Sequence, residues 1–348
     1  MEAQVKLQQR IVKTKKVSKV DMNMMKIKKW VMAGVILGMT LLCGCAESEL
    51  ENREFPTILA VASESDFTRE WLDGLQEGTK KVDYNHLKVI LLERDFLEDK
   101  EAMAGMLALL KDDKNVPLNA YVVTTEMLQE LKDAEANLEK SLGDYLEELL
   151  EHGNTVKKET YPTIGMLYQE KENKKETLFI PTVSLVEEMP EVTSYEVYKR
   201  GSAIGQVYSD MALLSFFVGN QMEEYVLQLG VNNYVRLVDS DNEITFEQRR
   251  EKSGLLKRQV MVSIDCDGEI LQQRHTADAK ETKKWLEEQI GMYMLAKAVK
   301  ALERGVDITN SFKKLGTDRE WYLYYMQSPD FFEEEIEIIF DIEIEWID

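Results

Sequence analysis

The spacing of hydrophobic residues changes along this chain, and in its first half it alternates between strand-like and helical patterns. Short apolar runs typical of buried strands occupy 57–63, 87–93 and 119–125. Helical spacing follows these runs at 69–81, 99–111 and 126–151. Strands that alternate with helices are typical of an α/β layer, in which helices cover a sheet. We therefore predict an α/β arrangement for the first half.

The middle of the chain has shorter apolar runs. Strand-like runs occupy 177–187, 194–201 and 225–230, and a short apolar helix or strand lies at 211–217. Pro181 and Pro190 limit which of these runs can be central strands, because proline lacks the N–H that a sheet ladder requires. This pattern predicts a small β-rich module.

The last third begins with two strand-like runs on either side of Asp267 and Gly268, RQVMVSIDC and EILQQRHT. An Asp-Gly pair between two such runs is a strong signal for a two-residue hairpin turn. We therefore predict a hairpin at this position.

A long helix is predicted next, capped by Asp278 and ended by Gly305. Its apolar residues at helical spacing, predicted to line one buried face, are Trp285, Met292, Leu295, Val299 and Leu302. The final run, EIEIIFDIEIEWID, alternates apolar and mostly acidic residues, which predicts a half-buried strand. Together these elements predict an antiparallel sheet with a helix on one side.

The combined pattern predicts an α+β, multi-domain ectodomain with mixed and antiparallel sheets packed against helices. Its predicted units are an N-terminal extension and signal peptide at 1–44, a lipid-anchored tether at 45–55, an α/β domain at 56–174, a small β-rich domain at 175–228 and an α+β domain at 229–348.

The beginning of the chain has the pattern of a bacterial lipoprotein signal. Three lysines at 26, 28 and 29 precede an apolar run that starts at Trp30 and ends in Leu42, Cys43, Gly44 and Cys45. The run is shorter than the roughly 20 residues that a membrane-spanning helix needs, which predicts a cleavable signal. Cleavage is predicted between Gly44 and Cys45, with a diacylglyceryl thioether on Cys45. An ordinary secretory signal with an incidental Cys45 is the alternative.

Residues 1–24 are polar and basic, so translation is predicted to start at Met24 or Met25 rather than Met1. One acyl chain holds a protein only marginally, whereas two give durable attachment. The mature protein is therefore expected to stay on the extracytoplasmic face of the cell membrane.

The charge of the mature chain argues against nucleic acid as a partner. Residues 1–44 hold nine basic and two acidic residues, so their removal leaves 62 acidic and 34 basic side chains and a formal charge of −28. Such a surface repels both nucleic acid and anionic lipid headgroups. Membrane contact is therefore expected to depend on the lipid and on neighbouring proteins.

No residue set predicts catalysis, a metal or a cofactor. His86, His152 and His275 are far apart in sequence and lack ligand-type neighbours at suitable spacing. The acidic residues around Gly268 lack the distal glutamate of a calcium loop, so the hairpin turn explains them better. A glycine-rich phosphate loop and a G-x-S-x-G motif are both missing from the sequence.

Two further features have structural interpretations. Cys266 is the one cysteine after Cys45, so an internal disulfide is impossible without the acylated cysteine, and we interpret Cys266 as a strand residue rather than a nucleophile. Trp321 and the tyrosines at 322, 324 and 325 form an aromatic cluster in sequence. This cluster is either a core plug or a docking patch for a partner.

Several segments resemble the Ger(x)C family, the lipoprotein C subunits of spore nutrient-germinant receptors. They are ESELENREFPTILAV, DYNHLKVILLERDFL, MLALLKDDKNVPLNAYVVTT and VDITNSFKKLGTDREWYLYY. In the third segment, Lys111 stands where the family usually has arginine.

The resemblance implies a non-enzymatic, three-domain ectodomain that is tethered by lipid to the spore inner membrane. It also implies two polytopic partners, the A and B germinant-receptor subunits, and a role in the response of spores to small nutrients. Cys45 is the single residue to which it assigns a chemical role. The alternative function is a solute-binding lipoprotein of an importer.

Overall fold

A computed structural model describes nine stretches of the chain. They are residues 53–63, 81–112, 116–153, 155–173, 177–231, 233–250, 256–272, 279–309 and 336–347. The predicted signal peptide, Gly44 and Cys45, residues 69–80 of the helix predicted at 69–81, Asp278, His275 and the aromatic cluster at 321–325 lie outside these residues.

The described residues form twelve strands and seven α-helices. The strands are β1 (Arg53–Glu54), β2 (Ile58–Val61), β3 (Lys81–Val82), β4 (Val89–Glu93), β5 (Tyr121–Thr125), β6 (Leu178–Val186), β7 (Met189–Lys199), β8 (Ser202–Tyr208), β9 (Glu224–Gln228), β10 (Tyr234–Arg250), β11 (Leu256–Gln272) and β12 (Ile336–Trp346). The helices are α1 (Arg94–Glu98), α2 (Lys100–Asp112), α3 (Leu128–Ala134), α4 (Leu142–His152), α5 (Ile164–Asn173), α6 (Ser209–Val218) and α7 (Ala279–Leu302).

The chain divides into two compact units. The first comprises Met1–Glu54 and Leu75–Val82, and its described residues form a short parallel ladder between β1 and β3. The second comprises Phe55–Gly74 and Asp83–Asp348, and it contains a six-stranded and a four-stranded sheet. The predicted α+β class is confirmed, since both sheets are packed against helices.

The six-stranded sheet has the order β2-β4-β5-β6-β7-β8. Strands β2, β4, β5 and β6 are parallel, and β7 and β8 add as antiparallel strands. Residues 89–92 of β4 are all buried, which is typical of a parallel strand covered on both faces. Two of the strand-like runs assigned to a separate β-rich module, 177–187 and 194–201, thus continue the first sheet, through the pairing of Thr124 with Thr182. The third run, 225–230, contributes β9 to the four-stranded sheet instead. The domain boundaries after 174 and 228 stay a prediction.

A buried carboxylate fixes the turn between β7 and β8. The backbones of Arg200 (φ 54°) and Gly201 (φ 79°) are both left-handed, as a tight two-residue hairpin requires. Their N–H groups donate hydrogen bonds to the carboxylate of Glu170 on α5 at 2.6 and 2.8 Å. The turn is therefore attached to the helix layer.

The four-stranded sheet has the order β12-β11-β10-β9. Long β10 and β11 pair antiparallel over most of their length, and β12 pairs parallel with β11 from Arg258↔Ile336 to Gly268↔Trp346. The predicted half-buried final strand is confirmed. The prediction of an antiparallel sheet in this segment is wrong for β12, which pairs parallel with β11, so this sheet is mixed.

The predicted hairpin at Asp267 and Gly268 is also wrong. Strand β11 runs through both residues without turning. A Cβ at Gly268 would lie 2.5 Å from Cγ2 of Ile344 and 3.1 Å from the ring of Trp346. Glycine is therefore required here because β12 side chains pack directly against the backbone, and not because the chain turns.

The long helix is confirmed as α7, but its predicted buried face is wrong. The buried residues are Leu286, Ile290, Met294, Ala298 and Ala301, whereas Met292, Leu295 and Val299 are exposed. The predicted end is correct. Gly305 has a φ of 73°, and its N–H donates to the carbonyl of Leu302 at 2.8 Å, as expected of a C-terminal glycine cap.

One hydrophobic core connects the two sheets of the second unit. It contains Leu91 of the first sheet, Phe217 of α6, Val262 of β11 and Ile290 of α7. A polar contact adds to it, since the ammonium group of Lys199 in β7 donates to the carbonyl oxygen of residue 305 at 2.9 Å. The core thus fixes the position of α7 beside the four-stranded sheet.

Candidate protein-interaction site

The described histidines and the acidic residues around Gly268 lie apart and do not form a metal site. His86 ends a short turn, and its ring packs edge-to-face on Phe55 with centroids 5.0 Å apart. His152 ends α4. Asp265, Asp267 and Glu269 lie on an extended strand rather than in a loop. Within the described ranges, no group of three or more His, Cys, Asp or Glu residues could hold a metal ion.

Cys266 is a buried strand residue, as predicted, with 3% of its surface exposed. Burial raises the pKa of its thiol to about 12, and the neighbouring carboxylates of Asp265 and Asp267 act in the same direction. The thiol is therefore protonated at neutral pH, and a protonated thiol is a poor nucleophile.

A charge cluster that the sequence did not predict lies at the carboxyl end of the parallel strands. Arg94, the first residue of α1, directly follows β4, and Glu126 directly follows β5. The Nε of Arg94 lies 3.0 Å from Oε1 of Glu196 in β7 and 3.1 Å from Oε1 of Glu98, and its Nη1 binds Glu126. One guanidinium group thus forms ion pairs with three carboxylates.

Glu196 is the buried member of this cluster, with no surface exposed. Burial raises the pKa of its carboxyl to about 7, Arg94 opposes that rise, and the like charges of Glu98 and Glu126 add to it. The cluster holds α1 against the sheet. A polar residue in the middle of an apolar strand was the sequence signal that could have revealed it.

The clearest candidate for an interaction site is a groove between α7 and β12. We call it the α7–β12 groove, and its apolar part consists of Gly291, Met292, Leu295, Ile338, Ile339, Phe340 and Ile342. Met292 is 57% exposed and Leu295 is 40% exposed, although both lie on a helix that is otherwise anchored in the core. A contiguous exposed apolar patch of this kind is typical of a protein-interaction surface.

The described ionisable residues that line the α7–β12 groove are all acidic: Glu287, Glu288 and Glu337. Two of them are held in place by neighbours. The indole N–H of Trp346 donates to Glu287 at 2.9 Å, and the side-chain amide of Gln259 donates to Glu337 at 2.7 Å. The groove is therefore apolar in its floor and negative at its rim.

Among the described strands, β12 lies at the edge of its sheet. In the order of the four-stranded sheet it lies outermost, and its described pairing is with β11 alone. An edge strand presents unpaired N–H and C=O groups along one side. The α7–β12 groove thus runs beside a row of backbone groups that another strand could bind.

No helix within the described residues combines the length and the apolar character needed to cross a membrane.

Comparison with known proteins agrees with the resemblance seen in the sequence. The family model described as "Spore germination protein N-terminal domain" matches residues 73–185. A solved structure, "Crystal Structure of the GerBC protein", shares the fold with a TM-score of 0.55 at 13% sequence identity, over 75% of this chain and 79% of that chain. No curated protein matches the chain. Residues 73–185 thus match a spore germination protein N-terminal domain, and the chain shares the fold of GerBC, in agreement with the resemblance to the Ger(x)C family.

Proposed function

We propose that this protein is a lipid-anchored, non-enzymatic C subunit of a spore nutrient-germinant receptor. It acts through protein contacts with the polytopic A and B subunits at the spore inner membrane. The observation that carries the proposal is the order of two sequence features: a lipoprotein signal ending at Gly44 and Cys45, followed by the spore germination domain at 73–185.

The anchor keeps the folded part near the membrane. Each buried methylene of an acyl chain contributes about 0.8 kcal/mol, so two chains on Cys45 hold the protein durably. The segment from Cys45 to Phe55 spans at most about 40 Å even when fully extended. The ectodomain is thereby confined to the layer in which membrane subunits expose their loops.

Because the mature chain is strongly acidic, it is expected to contact other proteins in preference to lipid headgroups. The mature chain carries a formal charge of −28, so anionic headgroups repel it. Two ionisable groups with raised pKa values, the carboxyl of Glu196 and the thiol of Cys266, are buried within strands rather than presented to a substrate. A scaffolding or modulating role fits this arrangement better than catalysis.

Membrane attachment tests the anchor. Cys45→Ser removes the acyl acceptor, so the protein is expected in the soluble fraction or as an uncleaved precursor, without incorporated palmitate analogue. Cys43→Ser is the matched control, because Cys43 is lost with the signal, and it is expected to be acylated and membrane-bound as in the wild type. Equal acylation of wild type and Cys45→Ser would contradict the proposal.

The solute-binding alternative is not favoured. A solute-binding protein of this class needs two repeated α/β lobes around a cleft, whereas the two sheets described here differ in strand number and order. A melting temperature that rises with an added sugar, peptide or amino acid would favour the alternative, because a ligand stabilises the state to which it binds.

A further inference from the structure

We infer that the edge of β12, together with the α7–β12 groove, takes up an extended partner segment in which apolar residues alternate with Lys or Arg. The segment adds to the four-stranded sheet as a fifth strand. The inference rests on the proposed function for its setting, a protein that acts by contacts with other subunits. Its own support comes from the backbone edge, the groove and the charges of β12.

The edge provides the first part of the argument. β12 pairs with β11 over eleven residue positions, from Ile336 to Trp346, so its backbone is held extended along its whole length. Among the described residues, no strand pairs with the other edge of β12. Addition of a strand to such an edge is an established way of binding an extended peptide, with backbone hydrogen bonds supplying affinity.

The groove determines what one face of the incoming segment must be. Strand side chains alternate between faces, so every second residue of the segment faces α7. There it meets Met292 and Leu295 from the helix and Phe340 and Ile342 from β12. Gly291 has no side chain to fill the groove at this point, and the nearest neighbour of its position is Cδ1 of Ile342, at an ordinary contact distance of 3.7 Å from where a Cβ would lie. Apolar side chains fit this face.

The acidic side chains of β12 determine which residues suit the other face of the incoming segment. On β12 the outward residues Glu337, Asp341, Glu343 and Glu345 are acidic and exposed. Glu343 pairs in register with Asp265, and Glu345 pairs with Asp267. Like charges opposite each other on neighbouring strands are destabilising. Cationic side chains on an added strand would relieve this repulsion.

The row that contains Glu343 is the most strongly charged. Asp241 of β10 pairs with Asp265 of β11, which pairs with Glu343, so three carboxylates lie side by side across three strands. The next position in this row belongs to the incoming segment. A lysine or arginine there would lie beside the outermost of the three carboxylates.

The same charges argue against a second copy of this chain. Pairing of two β12 edges would place the acidic residues of one copy beside those of the other. Charged side chains on an exposed edge are a common means of preventing such self-association. The edge of β12 therefore favours binding of a cationic strand and disfavours pairing with the β12 of a second copy.

Binding of designed peptides to the full-length protein tests the inference. The probe is a peptide of about ten residues that alternates valine and lysine, matched in length to β12. Two control peptides are a scrambled version without alternation and a version with glutamate in place of lysine. We expect the alternating lysine peptide to bind and to slow hydrogen exchange of the β12 amides, and the control peptides to do neither.

Variants localise the binding. Asp341→Lys with Glu343→Lys reverses the outward charges, and Leu295→Glu places a charge in the groove. Each is expected to weaken binding about tenfold or more, since the first loses the cross-strand charge pairs and the second loses apolar contacts in the groove. Val226→Glu is the matched control, because Val226 is 48% exposed on β9, the opposite edge of the same sheet, and it is expected to bind as the wild type does.

Several results would overturn the inference. They are equal binding of the glutamate peptide, protection of β9 instead of β12, or no binding because other residues of this chain already cover the edge, which slow exchange of the β12 amides in the free protein would reveal. Acylation of Cys45 is measured independently of peptide binding. Failure of this inference can therefore be told apart from failure of the proposed function.

Discussion

At the scale of single residues, the most unusual group is the carboxyl of Glu196. It is fully buried in β7, and Arg94 of α1 contacts it at 3.0 Å. The pKa of this carboxyl is raised to about 7 from an ordinary value of 4.5, chiefly by burial. An acid whose folded-state pKa exceeds its unfolded value binds a proton more tightly when folded. Its contribution to stability is therefore fully present below the unfolded pKa and is lost as pH rises through the folded pKa.

Glu196→Gln tests this pH dependence. At pH 4 both side chains are neutral, so wild type and variant are expected to differ little in free energy of unfolding. As pH rises to about 8, the wild type is expected to lose stability relative to the variant, by up to about 3 kcal/mol on the scale of about 1.36 kcal/mol for each pKa unit. The measurement is urea denaturation of both proteins across this range.

Glu98→Gln is the control for that comparison. Its carboxylate also contacts Arg94 but is half exposed, with 50% of its side-chain surface accessible. Glu98→Gln is expected to differ little from the wild type in free energy of unfolding, because solvent screens exposed ion pairs. A constant difference between wild type and Glu196→Gln across the whole pH range would show that the carboxyl of Glu196 is not perturbed.

At the scale of elements, packing between β11 and β12 explains Gly268, which the local sequence pattern predicted to lie in a turn. Asp267 and Gly268 have the sequence of a hairpin turn, yet both lie within β11. The side chains of Ile344 and Trp346 occupy the space that a Cβ of residue 268 would need. Glycine thus serves close approach of neighbouring strands, which a single sequence does not distinguish from a turn.

Gly268→Ala is accordingly expected to destabilise the protein by about 1–3 kcal/mol, the usual cost of overpacking. Gly105→Ala is the matched control. Gly105 lies in α2, and a Cβ there meets no atom within 4 Å, so alanine is expected to stabilise the helix by about 0.5–1 kcal/mol. Thermal or urea unfolding of the two variants measures both effects. Equal effects of the two substitutions would contradict this role of Gly268.

Helix α7 shows the same limit of sequence patterns. The helical spacing of its apolar residues and the glycine at 305 predicted the helix and its end, and the structure confirms both. Its buried face does not follow from these signals, because α7 has apolar residues on two sides and the sequence cannot say which side meets the core. The core uses the side with Ile290 and Met294 and leaves Met292 and Leu295 exposed.

At the scale of the whole molecule, the interleaved strands and helices predicted the fold class, and the structure confirms it. The strands of the middle segment were assigned to a separate module because short apolar runs do not reveal which sheet they join. The α7–β12 groove was not predicted, since it depends on the parallel placement of β12 beside β11. The most specific chemical prediction, acylation of Cys45, rests on the sequence alone.

The proposal that this chain is a working germinant-receptor subunit is tested most directly by the nutrient response of spores that lack it. Loss of optical density should be followed after addition of individual amino acids, sugars and nucleosides. We expect such spores to lose the response to at least one nutrient, and a copy of the intact chain to restore it. A normal response of the deletion spores to every nutrient would contradict the account.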